Sequence, residues 1–262
     1  MHKLNDDRSG NHIELEGAAL IIGAGGHLMS SLALGVAQAG ALAICADRNL
    51  EDAERTAEVI RVNGFKAIAI NVDITNKNNV LELRREIEKN NLIVNYLING
   101  AGINAPTPFM NIEEDEWLRI FQIQLFGVAL CCQIFGEGML AREHGSIINI
   151  SSASAGPPLS KAFAYSCSKA ALLNLTKNLG REWGTKGVRV NAIRPGFFPT
   201  EWNRIHFIDA EREEAILRHT PMHRFGDPAE LVTAALWLLS NKSSFVTAAE
   251  IPIDGGFSGM TI

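Results

Sequence analysis

Residues 20–40, LIIGAGGHLMSSLALGVAQAG, join a short apolar run to a longer amphipathic one through a glycine-rich turn. Gly23, Gly25 and Gly26 give the backbone the freedom that a sharp bend requires. In α/β proteins such a bend brings backbone N–H groups and the positive end of the next helix toward a pyrophosphate. The stretch therefore predicts a strand, a nucleotide-binding turn and a helix, although the turn alone is weak support for a nucleotide.

The same alternation of short apolar and longer amphipathic runs continues along the chain. Seven runs rich in Val, Ile, Leu and Ala are typical of strands buried on both faces of a parallel sheet. These runs are AALIIG, LAICAD, KAIAINVD, VNYLING, GSIINIS, VRVNAIRP and EIPIDGG. Helical patterns lie between them at 27–39, 50–63, 76–90, 113–142, 161–185 and 227–240. The alternation predicts an α/β, doubly wound Rossmann fold with helices on both faces of the sheet.

We expect this fold to form one domain. The chain has 262 residues, of which 47% are hydrophobic and 20% are charged, and this suffices for one large core. We expect residues 1–15 to form a flexible tail and residues 16–262 to form a single Rossmann-type domain. Residues near 198–224 have weak strand character and are predicted to form a lid over a substrate.

Charge and composition argue against several classes of function. The formal net charge of −5 and the lack of any Lys/Arg-rich run make nucleic acid an unexpected partner. The polar start does not resemble a signal or transit peptide, and no apolar run reaches about 18 residues, so we expect a cytoplasmic protein without a membrane partner. The four cysteines lack framework spacing, and His206, His219 and His223 lack metal-ligand spacing. We therefore expect reduced thiols and no metal.

The end of the second predicted strand indicates which cofactor the turn would bind. Asp47 lies 24 residues after Gly23, where its carboxylate can accept hydrogen bonds from both adenosine ribose hydroxyls. Arg48 follows and could attract a 2′-phosphate, but Asp47 would repel that phosphate at hydrogen-bonding distance. We therefore favour NAD over NADP.

A second group of polar residues lies around the fifth predicted strand. Tyr165 and Lys169 are four residues apart on a helical pattern, so their side chains share one face. A nearby ammonium favours phenolate, so we expect Lys169 to lower the pKa of Tyr165 and make it a general acid and base. Ser152 follows the strand at its carboxyl end, where its hydroxyl can hold a substrate oxygen. The alternative is a Tyr and a Lys on an ordinary helix surface.

Several motifs in order resemble the short-chain dehydrogenase/reductase family over residues 17–262. They are SS at 151–152 followed by YSCSK at 165–169, NGAG at 99–102, NVDI at 71–74, RPGFFPT at 194–200 and IPIDGG at 251–256. The resemblance implies a seven-stranded parallel sheet and a homodimer or homotetramer. It also implies that the apolar helical stretches 113–142 and 161–185 form the dimer faces, although packing of their core-facing sides alone could explain that pattern.

The resemblance assigns roles to individual residues. Tyr165 would donate and accept the proton, Lys169 would bind the nicotinamide ribose and tune Tyr165, and Ser152 would orient the substrate carbonyl or hydroxyl. Further cofactor contacts would come from Gly23, Gly25, Gly26, Leu28, Asp47, Arg48, Asp73, Ile74, Asn99, Pro195, Gly196, Phe198 and Thr200.

This chain departs from the family pattern at three places. His27 and Met29 stand where the turn carries its second and third glycines, so Met29 must push the helix slightly or bend its side chain away. Gln124 stands where the family has a catalytic Asn, and we expect its amide to serve the proton relay through a displaced water. The alternative is a broken relay and low activity. Gly100 replaces an Asn, with an expected structural cost.

The altered turn resembles a branch of the family known as D-mannonate oxidoreductases, which indicates a sugar or sugar-acid substrate. We interpret the chain as a nicotinamide-dependent oxidoreductase that interconverts a secondary alcohol and a ketone. The substrate would contact Ser154 and, from the segment after Thr200, Glu201, Trp202, Asn203 and Arg204. Arg204 could hold a carboxylate, or it could be a solvated charge. The alternatives are a catalytically weak nucleotide-binding sensor or structural subunit and, less favoured, an epimerase or dehydratase.

Overall fold

The computed structural model describes residues 13–200 and 208–261. Its centre is one seven-stranded parallel sheet in the order β3-β2-β1-β4-β5-β6-β7. The strands are β1 Ala18–Ile22, β2 Leu42–Asp47, β3 Ala67–Asn71, β4 Val94–Asn99, β5 Gly145–Ile150, β6 Val188–Pro195 and β7 Glu250–Ile253. The predicted fold class, the seven strands and the parallel sheet are confirmed.

Eight α-helices lie within the described residues. They are α1 His27–Gln38, α2 Leu50–Val62, α3 Lys77–Lys89, α4 Glu114–Phe121, α5 Val128–Ala141, α6 Phe163–Trp183, α7 Ala210–His219 and α8 Ala229–Leu239. One layer on the sheet contains α1, α2 and α8, and the opposite layer contains α3, α5 and α6. Residues of β1 alternate between the two layers, with Ile21 in the first and Leu20 in the second. This double burial explains why the strand is apolar at every position.

The parallel register brings the carboxyl ends of the strands to one edge of the sheet. Ile22 pairs with Ala46 of β2 on one side and with Asn99 of β4 on the other. The strand order reverses between β1 and β4, and this switch point opens a crevice outside the strand ends. The turn after β1 and the segment after β4 therefore face the same space.

The segment between β4 and β5 contains one long helix. A π-helical segment, Gln122–Gly127, joins α4 to α5, so helix runs without a break from Glu114 to Ala141. This helix is long and apolar enough to span a membrane by length and composition alone. Its buried residues, among them Cys131, Cys132 and Met139, pack into the core against the sheet. It is therefore a core helix of this fold, and the π-helical segment turns Gln124 into the interior.

Helix α7 is absent from the elements predicted from the sequence. It lies within residues 198–224, where weak strand character predicts a lid over a substrate. The sequence does contain signals for this helix, because Asp209 accepts a hydrogen bond from the backbone N–H of Arg212 at 2.8 Å as an N-cap. Arg218 and His219 lie in its last turn, where cations suit the helix dipole. Residues 201–207 of the expected lid and residues 1–12 of the expected tail lie outside the described residues.

Two departures from the family pattern turn out to be one packing contact. A Cβ atom added to Gly100 would lie 2.0 Å from the Met29 sulfur, so the Met29 side chain occupies the space beside that glycine. Met29 is 3% exposed. The long side chain at the start of α1 and the missing side chain after β4 compensate each other in volume, so the glycine accommodates Met29 rather than carrying a cost of its own.

We expect the effects of Met29→Ala and Gly100→Ala on the free energy of unfolding to be non-additive. Gly100→Ala overpacks the contact and should cost about 1–3 kcal/mol, and Met29→Ala leaves a cavity and should cost about 2–5 kcal/mol. The double variant should lose less than the sum, by about 0.5–3 kcal/mol, because the alanine at 100 fills space that Met29 vacates. Urea denaturation of the four proteins measures the coupling. Gly259→Ala is the control, since a Cβ there meets nothing within 4 Å. If the double variant loses the sum of the two single losses in unfolding free energy, the proposed contact between Met29 and Gly100 is refuted.

Candidate active site

The first cavity, of about 370 Å³, lies at the carboxyl edge of the sheet. Three elements supply its polar wall: Ser152 follows β5, Tyr165 and Lys169 lie on α6, and Gln124 lies on the π-helical segment. Other lining residues include Leu28, Ser154, Pro195, Gly196 and Phe198. The structure thus brings the four predicted catalytic residues together in one cavity.

Burial governs the charge state of the Tyr165–Lys169 pair. The Lys169 ammonium lies 5.6 Å from the centroid of the Tyr165 ring and donates a hydrogen bond to the carbonyl of Ile150 at 2.8 Å. Desolvation lowers the pKa of Lys169 to about 8. Burial also raises the pKa of Tyr165, and a hydrogen bond from Ser152 offsets part of that rise. The expectation that Lys169 lowers the pKa of Tyr165 below its ordinary value is therefore wrong for this structure, because loss of water is the largest effect and the hydrogen bond from Ser152 offsets only part of it.

Local hydrogen bonds orient the Ser152 hydroxyl. Its oxygen accepts from the backbone N–H of Ser154 at 3.2 Å and from the Ser154 hydroxyl at 3.1 Å. With both acceptor positions used, the Ser152 proton points away from Ser154 and is available to Tyr165 or to a substrate oxygen. Ser154, a predicted substrate contact, lines the cavity but is 4% exposed. Its observed contacts are with Ser152.

Gln124 is fully buried between the cavity and α6. Its side-chain nitrogen donates to the carbonyl of Ile103 at 3.0 Å and to the Ser168 hydroxyl at 3.2 Å. Ser168 in turn donates to the backbone carbonyl of Tyr165 at 2.7 Å. The Gln124 Oε1 atom has no hydrogen-bond partner among the described residues. A Cβ on Gly102 would lie 2.8 Å from this oxygen, so the glycine leaves room for the longer amide.

A second cavity, of about 250 Å³, continues the first across Gly100, Gly102 and Ile103. Its lining contains most of the residues predicted to hold the adenosine end of a dinucleotide: Gly23, Gly26, Asp47, Arg48, Asp73 and Ile74. The two cavities form one crevice that runs from the first turn to Tyr165. This is the shape that an extended dinucleotide requires at a switch point.

Close contacts explain why glycines remain in the turn after β1. Gly23 has a φ of +81°, and a Cβ there would lie 2.8 Å from the backbone of Ala101. A Cβ on Gly25 would lie 2.4 Å from the Cβ of Asp52. Gly26 is the N-cap residue of α1 and provides no side-chain cap, so the helix start presents backbone N–H groups. These features fit a pyrophosphate at the start of α1.

The Asp47 carboxylate supports this turn directly. Its Oδ2 atom accepts a hydrogen bond from the backbone N–H of Gly25 at 3.0 Å, and its Oδ1 atom accepts from the N–H of Asn49 at 3.0 Å. Each oxygen keeps a further lone pair for a ribose hydroxyl. Asp47 thus holds the turn as well as facing the second cavity.

Two predicted cofactor residues, Asn99 and Thr200, line neither of the two cavities. The Asn99 side chain is fully buried, donates to Asn149 at 2.9 Å and lines neither cavity, and its contact with the cofactor stays a prediction. Thr200 is not among the lining residues and precedes the segment 201–207. Arg48 lines the second cavity as expected.

The predicted substrate residues Glu201, Trp202, Asn203 and Arg204 lie outside the described residues. Sequence reasoning missed several polar residues that line the first cavity, among them Asn104, Lys161 and Arg212. The helical pattern of α7 could have indicated Arg212. No local pattern marks the other two, because tertiary contacts bring them to the cavity.

No group of three or more His, Cys, Asp or Glu side chains that could hold a metal ion occurs in residues 13–200 and 208–261. The site is built from a hydroxyl, a phenol, an ammonium and an amide around a crevice. Such groups move protons and orient oxygens, and a nicotinamide would supply the redox chemistry.

Comparison with known proteins agrees with this geometry. The family model described as enoyl-(acyl carrier protein) reductase matches residues 28–258. A galactitol 2-dehydrogenase from Rhizobium johnstonii is 31% identical over 249 residues, which cover 93% of this chain and 96% of that protein.

Two solved structures share nearly the whole fold. A gluconate 5-dehydrogenase from Burkholderia cenocepacia, in complex with NADP and tartrate, has a TM-score of 0.90 and 33% identity and covers 95% of this chain and 98% of its own. A structure described as a D-mannonate oxidoreductase from Haemophilus influenzae, with bound NAD, has a TM-score of 0.89 and is 36% identical. The match covers 95% of this chain and 97% of that one. Fold and site define a nicotinamide-dependent oxidoreductase of Rossmann type. The chain belongs to the short-chain dehydrogenase/reductase family.

The buried ammonium of Lys169 predicts a pH dependence of stability. Its pKa is about 8 in the folded protein and 10.5 for a solvated lysine, as in the unfolded chain, so the unfolded chain binds more protons between these values. The stability of the wild type relative to Lys169→Met should therefore rise with pH across this window, by on the order of 3 kcal/mol. Urea denaturation at pH 7, 8, 9 and 10 measures the difference. Lys89→Met, which removes an exposed lysine, is the control. A stability difference between wild type and Lys169→Met that stays constant from pH 7 to pH 10 would contradict the buried charge.

Proposed function

We propose that this protein is an NAD-dependent dehydrogenase/reductase that interconverts a secondary alcohol and a ketone of a sugar or sugar acid. The observation that carries the proposal is the placement of Ser152, Tyr165 and Lys169 on the wall of one cavity that continues into the glycine-rich turn. The names of the similar gluconate, mannonate and galactitol enzymes support the substrate class.

The site residues divide the chemistry among them. When bound, the nicotinamide ring supplies the hydride acceptor or donor. For oxidation, the Tyr165 phenolate takes the hydroxyl proton of the substrate, and Ser152 holds the same oxygen by hydrogen bonding. Lys169, on the same face of α6, stabilises the phenolate as it forms, and its desolvated ammonium strengthens that interaction. Reduction runs through the same groups in reverse.

Gln124 would complete this arrangement through its unpartnered oxygen. The side-chain nitrogen is already bonded to Ile103 and Ser168, so Oε1 is the atom that could accept a hydrogen bond from a water next to Lys169. We propose that Gln124 serves the proton relay in this way. The same amide bonds fix α6 below Tyr165, which would also position the phenol.

Two carboxylates beside the turn support NAD over NADP. Asp47 faces the second cavity, and Asp52 lies against Gly25 on the first turn of α2. A 2′-phosphate near this turn would meet both negative charges, and Arg48 is the one cation that lines this cavity within the described residues. The mannonate-type relative holds NAD, whereas the gluconate 5-dehydrogenase holds NADP.

We further propose one domain over residues 16–262, a cytoplasmic location, and a homodimer or homotetramer. Leu118 and Phe126 on the long helix are 58% and 53% exposed, and Phe163 at the start of α6 is 43% exposed. Apolar side chains exposed on these two helices support a self-association surface there.

Tyr165→Phe tests the proposed function. The variant should lose at least about a thousandfold in turnover, because it removes the proton donor, while the dissociation constant for NAD stays within about threefold. Nicotinamide absorbance with a panel of sugar acids, polyols and their ketones measures the first quantity, and calorimetry measures the second. Tyr96→Phe, at the only other tyrosine of the chain, is the matched control and should keep its activity.

Turnover of Tyr165→Phe within tenfold of wild type would overturn the mechanism. A wild type that binds NAD and turns over no member of the panel would favour the alternative, a catalytically weak nucleotide-binding sensor or structural subunit.

A further inference from the structure

The first cavity carries two cations that the proposed chemistry does not use. Arg212, in the first turn of α7, and Lys161, just before α6, line the same cavity as Ser152 and Tyr165. None of the ion pairs in residues 13–200 and 208–261 involves either side chain. We call Arg212 and Lys161 the cationic rim.

Neutral contacts hold the Arg212 guanidinium at the cavity. It donates to the Ser160 hydroxyl at 2.8 Å and to the Ser160 backbone carbonyl at 3.2 Å. These bonds orient the planar group while its charge keeps no counter-ion among the described residues. A cation in the first turn of a helix is also disfavoured by the helix dipole, so stabilisation of α7 does not explain this residue.

The backbone at Lys161 is held in a conformation that a non-glycine residue rarely adopts. Its φ is +59°, and the Asn104 side chain donates to its carbonyl at 3.5 Å. Such a conformation is strained for a residue with a side chain and often occurs at ligand sites. It places a lysine and the polar Asn104 side by side on the cavity wall.

We propose that the cationic rim binds the carboxylate of the substrate, so that the enzyme acts on a sugar acid and discriminates against the corresponding neutral polyol. This inference rests on the proposed function and names its substrate class. The guanidinium fork matches the two oxygens of a carboxylate, and Lys161 adds a second positive charge. With the carboxylate at the rim and the reacting hydroxyl at Ser152 and Tyr165, a linear acid has one productive orientation in the cavity.

Matched substrate pairs test the proposal. D-gluconate and sorbitol, and D-mannonate and mannitol, differ by a carboxylate in place of a terminal CH₂OH group. We expect the wild type to prefer an acid over its polyol by at least about a hundredfold in kcat/KM. Arg212→Gln should lower kcat/KM for the acid by about 30- to 300-fold, mainly through KM, and leave the polyol within about threefold.

Arg218→Gln is the matched control, because Arg218 lies on the same helix, is exposed and does not line the cavity. Its kinetics should equal those of the wild type, and Arg212→Lys should restore part of the loss because it keeps the charge without the fork. Calorimetry gives a readout that needs no turnover. It compares binding of the acid by the NAD complexes of Tyr165→Phe and of the double variant that also carries Arg212→Gln.

The outcomes separate the two proposals. Turnover of polyols at least as fast as acids, or an equal loss for both in Arg212→Gln, would overturn the cationic rim and leave the proposed function standing. Binding of the acid that depends on Arg212, in a wild type that shows no turnover, would support the rim and overturn the proposed function.

Discussion

The structure depends on the burial of β1 between two strands and two helical layers. Its five residues are buried, and they pair with β2 on one side and β4 on the other. Because strand order reverses beside β1, the chain after Ile22 and the chain after Asn99 diverge and leave a crevice. Every proposed functional group lies along that crevice or at its end. A change that shifts β1 would therefore move the turn, the second cavity and the wall that carries Tyr165 and Lys169 together.

The turn after β1 shows how the fold accommodates residues that differ from the family pattern. Met29 fills the space beside Gly100, and Asp47 holds the N–H of Gly25. One contact is apolar and the other is a charge-assisted hydrogen bond, and both fix the start of α1 without the missing glycines. Gln124 follows the same rule, because Gly102 leaves room for its longer side chain. The altered positions are therefore coupled to their neighbours rather than being isolated defects.

Most of the fold could be predicted from the sequence, because strands buried on both faces and amphipathic helices leave strong periodic signals. Asp47, Tyr165 and Lys169 could be placed because each lies at a strand end or at helical spacing. Helix α7 was missed because many of its residues are charged and its apolar face is short, with Ile216 buried, so the periodic signal is weak. Lys161 and Asn104 could not be found, since only tertiary packing brings them to the cavity, whereas the helical pattern of α7 could have indicated Arg212. The direction of the Tyr165 pKa was wrong because sequence spacing carries no information about desolvation.

We propose that the altered turn still binds a dinucleotide and that Asp47 selects NAD. Calorimetric titration of wild type and Asp47→Ala with NAD and with NADP tests it most directly. We predict that the wild type binds NAD more tightly than NADP, and that Asp47→Ala weakens NAD by about tenfold or more, roughly 1.4 kcal/mol, while NADP improves relative to NAD. Asp47→Ala also removes the hydrogen bond from the Gly25 N–H. A thermal melt of each protein without cofactor therefore shows whether this loss destabilises the fold. No detectable NAD binding by the wild type, or tighter binding of NADP, would contradict the account.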